Sequence, residues 1–125
     1  AALARWFHRE GMLEEALRLL EAALRRPLRE DLLWGALWEA AEIERRLGRT
    51  EAAVARWTEL SAIANPFRAQ ALEKLAIYYE HREKNPAMAL EMALAAQAIS
   101  PSKDLERRII RLRAKASVPR PPRLI

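Results

Sequence analysis

The chain has 125 residues, 51% of them hydrophobic and 31% charged, with three glycines and no cysteine. That is enough for one modest core, and it excludes disulfides, thiolate chemistry and sulfur-ligated zinc. The net charge of +5 is unevenly spread: residues 103–125 hold eight Lys or Arg against Asp104 and Glu106, so the last stretch carries +6 and the remainder −1.

Abundant Ala, Leu, Glu and Arg, with few β-branched residues, predict an almost wholly helical protein. No apolar run approaches the roughly 20 residues that a membrane span needs. The start, Ala1-Ala2-Leu3-Ala4-Arg5-Trp6, enters a helical pattern directly with no leader signature, so a cytoplasmic location is expected.

In chain order, a short first helix is predicted over roughly 2–10, with Leu3, Trp6 and Phe7, stopped by Gly11. Its brevity predicts a chain entered partway through its first repeat. A second helix follows over 13–26, with Leu13, Ala16, Leu17, Leu20, Ala23 and Leu24 on one apolar face, and Pro27 ends it. The third, 30–47, sets Leu33, Leu37, Ala40, Ala41 and Leu47 in a stripe beside Trp34 and Trp38, and Gly48 stops it. The fourth, 51–63, takes Thr50 as N-cap and buries Ala53, Val54, Trp57 and Leu60.

Asn65-Pro66 reads as an N-cap followed by proline at the first helical position, a device repeated at Asn85-Pro86 and Ser100-Pro101. The fifth helix is expected over 66–83 with Leu72, Leu75, Ala76, Tyr78 and Tyr79, and the sixth over 86–99 with Met88, Ala89, Met92, Ala93, Ala96 and Ile99. The seventh, 102–116, has Leu105, Ile109 and Leu112 on one face and arginines elsewhere, as a helix covering the end of a stack would. Residues 117–125, with three prolines, form a Pro/Arg-rich tail predicted to be extended.

Three small residues organise this pattern. Ala16, Ala53 and Ala89 each follow a helix-stop signal, and they are spaced by 37 and 36 residues, within the period of stacked helical hairpins. Set against the tetratricopeptide pattern W-x2-L-G-x2-Y, A-x3-F, P, the chain resembles that family across nearly its whole length. Leu3-Ala4, Phe7, Ala16 and Leu20 match in the first repeat. Leu72, Leu75-Ala76, Tyr79, Ala89, Ala93 and Pro101 match in the third. The second departs, with Leu37, Ala40-Ala41, Ala53, Trp57 and Pro66 in place but Glu44 where the tyrosine belongs. From Ala4 to Ala16 is 12 residues and from Ala76 to Ala89 is 13, so one extra residue must be absorbed near Glu80.

Phe7-His8-Arg9-Glu10-Gly11 and Tyr79-Glu80-His81-Arg82-Glu83 also resemble helix ends in a narrower group. These are the tetratricopeptide-like C-terminal regions of bacterial proteins whose N-terminal part is a ribonuclease-H-like exonuclease domain. Ala71-Leu72-Glu73-Lys74-Leu75-Ala76-Ile77-Tyr78-Tyr79-Glu80-His81-Arg82-Glu83 is the strongest piece. The resemblance implies an accessory region, with the family's acidic metal-binding residues upstream of it and no positions here to receive them.

The expected architecture is therefore an all-α, right-handed superhelix of about three hairpins (1–27, 30–63, 66–99) and a capping helix (102–116). No catalytic site, cofactor or metal site is expected. The serines Ser61, Ser100 and Ser102 lie at helix ends, there is no phosphate-binding glycine loop, and the two histidines are 73 residues apart.

The family resemblance implies that the first helix of each repeat lines a concave face. That places Arg5, His8, Arg9, Trp38, Arg45, Arg46, Lys74, Ile77, His81 and Arg82 on or near it, to hold a protein or peptide partner. Against this, Arg9, Arg45, Arg46 and Arg82 lie in last turns, where the helix dipole stabilises a cation with no ligand at all. Arg107, Arg108, Arg111 and Arg113, with the tail, form a candidate nucleic-acid contact, or else a solubilising cap. Self-association through exposed repeat ends is the third expectation for a partner.

Overall fold

The computed structural model describes residues 10–117. The expected first helix, Trp6, the groove candidates Arg5, His8 and Arg9, and the tail after Ser117 lie outside the described residues. Those described form six α-helices and no strand: α1 Glu10–Leu24, α2 Glu30–Arg46, α3 Thr50–Ala62, α4 Arg68–His81, α5 Pro86–Ile99 and α6 Lys103–Ser117. Sequence neighbours pack on one another, α1 on α2, α2 on α3 and α5 on α6, which makes the chain an all-α array of helical hairpins. It divides into two compact units between Ala71 and Leu72.

In the first unit, Leu13, Ala16 and Leu17 of α1 form a cluster with Ala40 and Ile43 of α2, sealed by half-buried Leu20 and Leu47. Ala53, Trp57 and Leu60 of α3 are buried, as are Leu37 and Ala41 of α2. In the second unit, Leu72 and Ala76 of α4 share a core with Ala89, Ala93 and Ala96 of α5 and with Leu105, Ile109 and Leu112 of α6. Every alanine of that core has zero exposure. Methyl-sized side chains at i, i+4 and i+7 let α5 sit close to its neighbours, and each fully buried leucine contributes about 1.5–3 kcal/mol.

The helix ends explain where the sequence expectations shift. The turn after α2 is a Schellman motif: Gly48 takes φ +77°, Arg49 N–H donates to Glu44 O (2.8 Å) and Gly48 N–H to Arg45 O (3.1 Å). That closure makes Arg49 the residue before α3, so Thr50 stands inside the first turn and does not cap it. Gly11, expected as a stop, lies in the first turn of α1; burying Leu13, Ala16 and Leu17 outweighs the ~1 kcal/mol cost of a helical glycine.

Asn65 does not start a helix at Pro66. Its Nδ2 donates to Leu60 O and Ile63 O (both 2.7 Å), closing the end of α3, while its Oδ1 accepts from Phe67 N–H (2.8 Å), so α4 begins only at Arg68. Asn85-Pro86 does act as expected, with Asn85 Oδ1 accepting from Met88 N–H (3.1 Å) and Pro86 in the first turn. At Ser100-Pro101 the cap is displaced. Ser100 closes α5 through Ala96 O, and Ser102 Oγ caps α6 by accepting from Leu105 N–H (3.1 Å). Ile99 is exposed rather than core, because α5 turns its alanine stripe inward.

The extra residue of the third hairpin sits in the turn that follows α4. Tyr78 O accepts from both Arg82 N–H (2.9 Å) and Glu83 N–H (3.2 Å), Lys84 adopts φ +52°, and Asn85 N–H reaches back to Tyr79 O (2.8 Å). Tyr79 corresponds to Glu44 and Asn85 to Arg49. The ring that spans five residues after α2 spans six after α4.

Candidate functional site

Helix α4 carries Leu72, Ala76 and Glu80 at i, i+4 and i+8, so a carboxylate falls in line with the apolar stripe that the second unit buries. Its side chain is 1% exposed. Helix α6 buries Leu105, Ile109 and Leu112, and immediately beside that stripe it carries Arg108, Arg111 and Lys115 at i, i+3 and i+7. Packing of the two stripes brings all three cations onto the one carboxylate.

Arg111 closes a fork on Glu80, with Nε to Oε2 at 2.9 Å and Nη2 to Oε1 at 2.8 Å. Arg108 Nη1 donates to Oε1 at 3.0 Å and Lys115 Nζ to Oε2 at 2.8 Å, while His81 Nε2 stands 3.5 Å from Oε1. The Arg111 hydrogen bonds, aided by Lys115, hold the Glu80 carboxyl at about 2 rather than 4.5, although burial pushes the other way. The Arg111 guanidinium is correspondingly raised, chiefly by its hydrogen bonds to Glu80. With one negative and three positive groups, the cluster keeps a surplus of two positive charges. Arg111 and Lys115 are each about half-exposed.

An open depression of about 390 Å³ adjoins this cluster, lined by Glu80, His81, Lys84, Pro86 and Lys115. In the first unit, a second depression of about 300 Å³ lies between α1 and α2, lined mostly by apolar side chains including Leu20, Leu28 and Leu32. Glu44, at the position where the repeat pattern has tyrosine, is buried and accepts a hydrogen bond from Arg56 Nε. The departure from the pattern is thus balanced by a cation from α3.

Of the groove candidates, Trp38 is half-buried and stacks on Phe67, with ring centroids 5.7 Å apart and planes 15° from parallel. Arg45 and Arg46 are exposed in the last turn of α2, and Arg45 pairs with Glu42 at 3.3 Å. On α4, half-buried Lys74 and exposed Ile77 and His81 follow one another at i, i+3 and i+7. Arg82 is exposed one residue past the helix end, its N–H bonded to Tyr78 O.

The candidate nucleic-acid contacts divide in two. Arg107 and Arg113 are exposed, Arg107 within 3.3 Å of Asp104, while Arg108 and Arg111 face Glu80. Sequence reasoning passed over Glu80, Lys115 and Phe67. For Glu80 the available signal was its place in the 72/76/80 stripe.

Among the described residues no group of three His, Cys, Asp or Glu could hold a metal, and no helix is long and apolar enough to cross a membrane. Compared with models of protein families, curated proteins and solved structures, the chain matches none.

Proposed function

We propose that this chain is a non-catalytic helical-repeat module that holds a protein partner, acting in the cytoplasm as part of a larger protein. The tetratricopeptide resemblance of Ala16, Ala53, Ala89 and their neighbours supports the repeat reading. The resemblance of residues 71–83 supports an upstream ribonuclease-H-like nuclease domain in the parent chain. The observation that carries the interaction reading is the exposed side of α4. There Ile77 is 36% exposed between Lys74 and His81, one turn away on either side. An apolar contact flanked by a lysine and a histidine suits a peptide that carries an apolar anchor and acidic or hydrogen-bonding neighbours.

A selection from a library of displayed peptides tests this. Acidic peptides with an apolar residue should be enriched, and Ile77→Glu should lose them at least tenfold while its helical circular dichroism is unchanged. Enrichment that survives Ile77→Glu would remove α4 as the docking face.

The exposed Arg107 and Arg113 favour a second reading, direct binding of nucleic acid. The engagement of Arg108 and Arg111 by Glu80 weighs against it, since a backbone-tracking stripe needs outward cations. Fluorescence anisotropy with single- and double-stranded DNA and RNA, titrated with salt, separates the two. The nucleic-acid reading requires low-salt binding that Arg107→Glu with Arg113→Glu abolishes. Deleting residues 103–125 would be uninformative, because it removes buried Leu105, Ile109 and Leu112.

A further inference from the structure

We infer that the depression at the end of α4 is a binding site for a phosphate monoester, held between Lys115 of α6 and His81 and Lys84 at the α4–α5 turn. The inference rests on the protein-partner reading for the source of that group, a phosphorylated side chain of the bound segment, but the site itself does not depend on it.

Three observations carry it. The first is charge. Glu80 neutralises one of the three cations that converge on it, leaving a surplus of two positive charges, and of those cations Lys115 lines the open depression together with His81 and Lys84. A phosphate dianion matches that surplus, whereas a carboxylate would meet half of it. The second is preorganisation. Lys115 Nζ donates once to Glu80 Oε2 at 2.8 Å and keeps two more N–H groups, so a long flexible side chain is already held in place before any ligand arrives. The third is geometry. Lys115 comes from α6, and His81 and Lys84 come from the end of α4 and the turn after it, so the lining groups are drawn from two separate segments, as a tetrahedral group with several oxygens suits. The volume of about 390 Å³ leaves space for the residue bearing the phosphate. Backbone at the start of α5 adds little, since Pro86 has no N–H and Asn85 already occupies Met88 N–H.

Phosphate and peptide titrations followed by ¹⁵N–¹H correlation spectra test the site on the whole chain. Inorganic phosphate should shift amides of residues 80–87 and 113–117 in a saturable way. Lys115→Ala should weaken binding at least fivefold, and Arg113→Ala, which removes the same charge from the same helix outside the depression, less than twofold. Equal losses from the two variants, or shifts spread evenly over all basic residues, overturn the proposal.

Glu80→Gln provides a second criterion that diffuse attraction cannot satisfy. It adds a positive charge yet loosens the cations, so the site predicts weaker phosphate binding and mere electrostatic attraction predicts stronger. A phosphoserine peptide with an apolar residue should bind more tightly than phosphate alone and lose that gain in Ile77→Glu. If a 5′-phosphorylated oligonucleotide gains instead, the site stands and the protein-partner reading falls. If no phosphate binds while the selected peptides still do, the site falls and that reading stands.

Discussion

At Glu80 a carboxylate falls in line with the buried apolar stripe of Leu72 and Ala76, and its burial is tolerated because four hydrogen bonds from three cations satisfy both oxygens. Removing the charge leaves Arg108, one-fifth exposed, with no counterion. Glu80→Gln should therefore destabilise the protein by roughly 2–3 kcal/mol at neutral pH, as read from urea unfolding. The folded carboxyl titrates at about 2 instead of 4.5, so the folded chain binds fewer protons than the unfolded one between those values. Glu80's contribution, on the order of 3 kcal/mol from that shift, is present above pH 4.5 and is lost as pH falls towards 2. The stability difference between the parent chain and Glu80→Gln should accordingly shrink between pH 4.5 and pH 2. A difference that stays constant over that range would mean that the carboxylate's charge contributes nothing.

The elements of this chain were legible in the sequence wherever a local pattern decides them. Ala16, Ala53 and Ala89 are buried as their 36- and 37-residue spacing requires, and five of the six helix spans agree with expectation to within a residue or two; α1 starts at Glu10, three residues before the start expected at 13. Expectation failed where a distant or competing partner decides. Thr50 lost its capping role to the Gly48 turn, and Pro66 lost its helical place to the Asn65 side chain. The partners of Glu80 lie 28, 31 and 35 residues downstream, beyond any spacing rule.

The α4–α5 turn shows how the third hairpin takes up its additional residue. Where the α2–α3 turn has Gly48 at positive φ, this one places Lys84 at φ +52°, a conformation that costs an L side chain about 1 kcal/mol. Lys84→Gly should raise stability by about 0.5 kcal/mol, and Asn85→Ala should lower it by about 1 kcal/mol through loss of the Met88 cap. Thermal unfolding of the two single variants measures both. Destabilisation by Lys84→Gly would show that the lysine's own contacts outweigh its backbone strain.

Over the described residues, helices adjacent in sequence pack on one another, α4 and α6 share a further core, and the contacts gather into two units that divide at Ala71 and Leu72. In such an array stability is a sum of local units and their interfaces, and a lesion is felt most by the unit that holds it. Glu80 ties α4 to α6 within the second unit, whereas Leu13, Leu17 and Ile43 close a core within the first. Glu80→Gln should then speed amide hydrogen exchange in α6 and in the last turns of α4 by tenfold or more at neutral pH. Amides around Leu13, Leu17 and Leu37 should keep their protection to within about twofold. If protection falls equally in both regions, the chain unfolds as one cooperative body and the carboxylate clamp stabilises all of it. If it falls only from residue 72 onward, the clamp is a local device of the second unit.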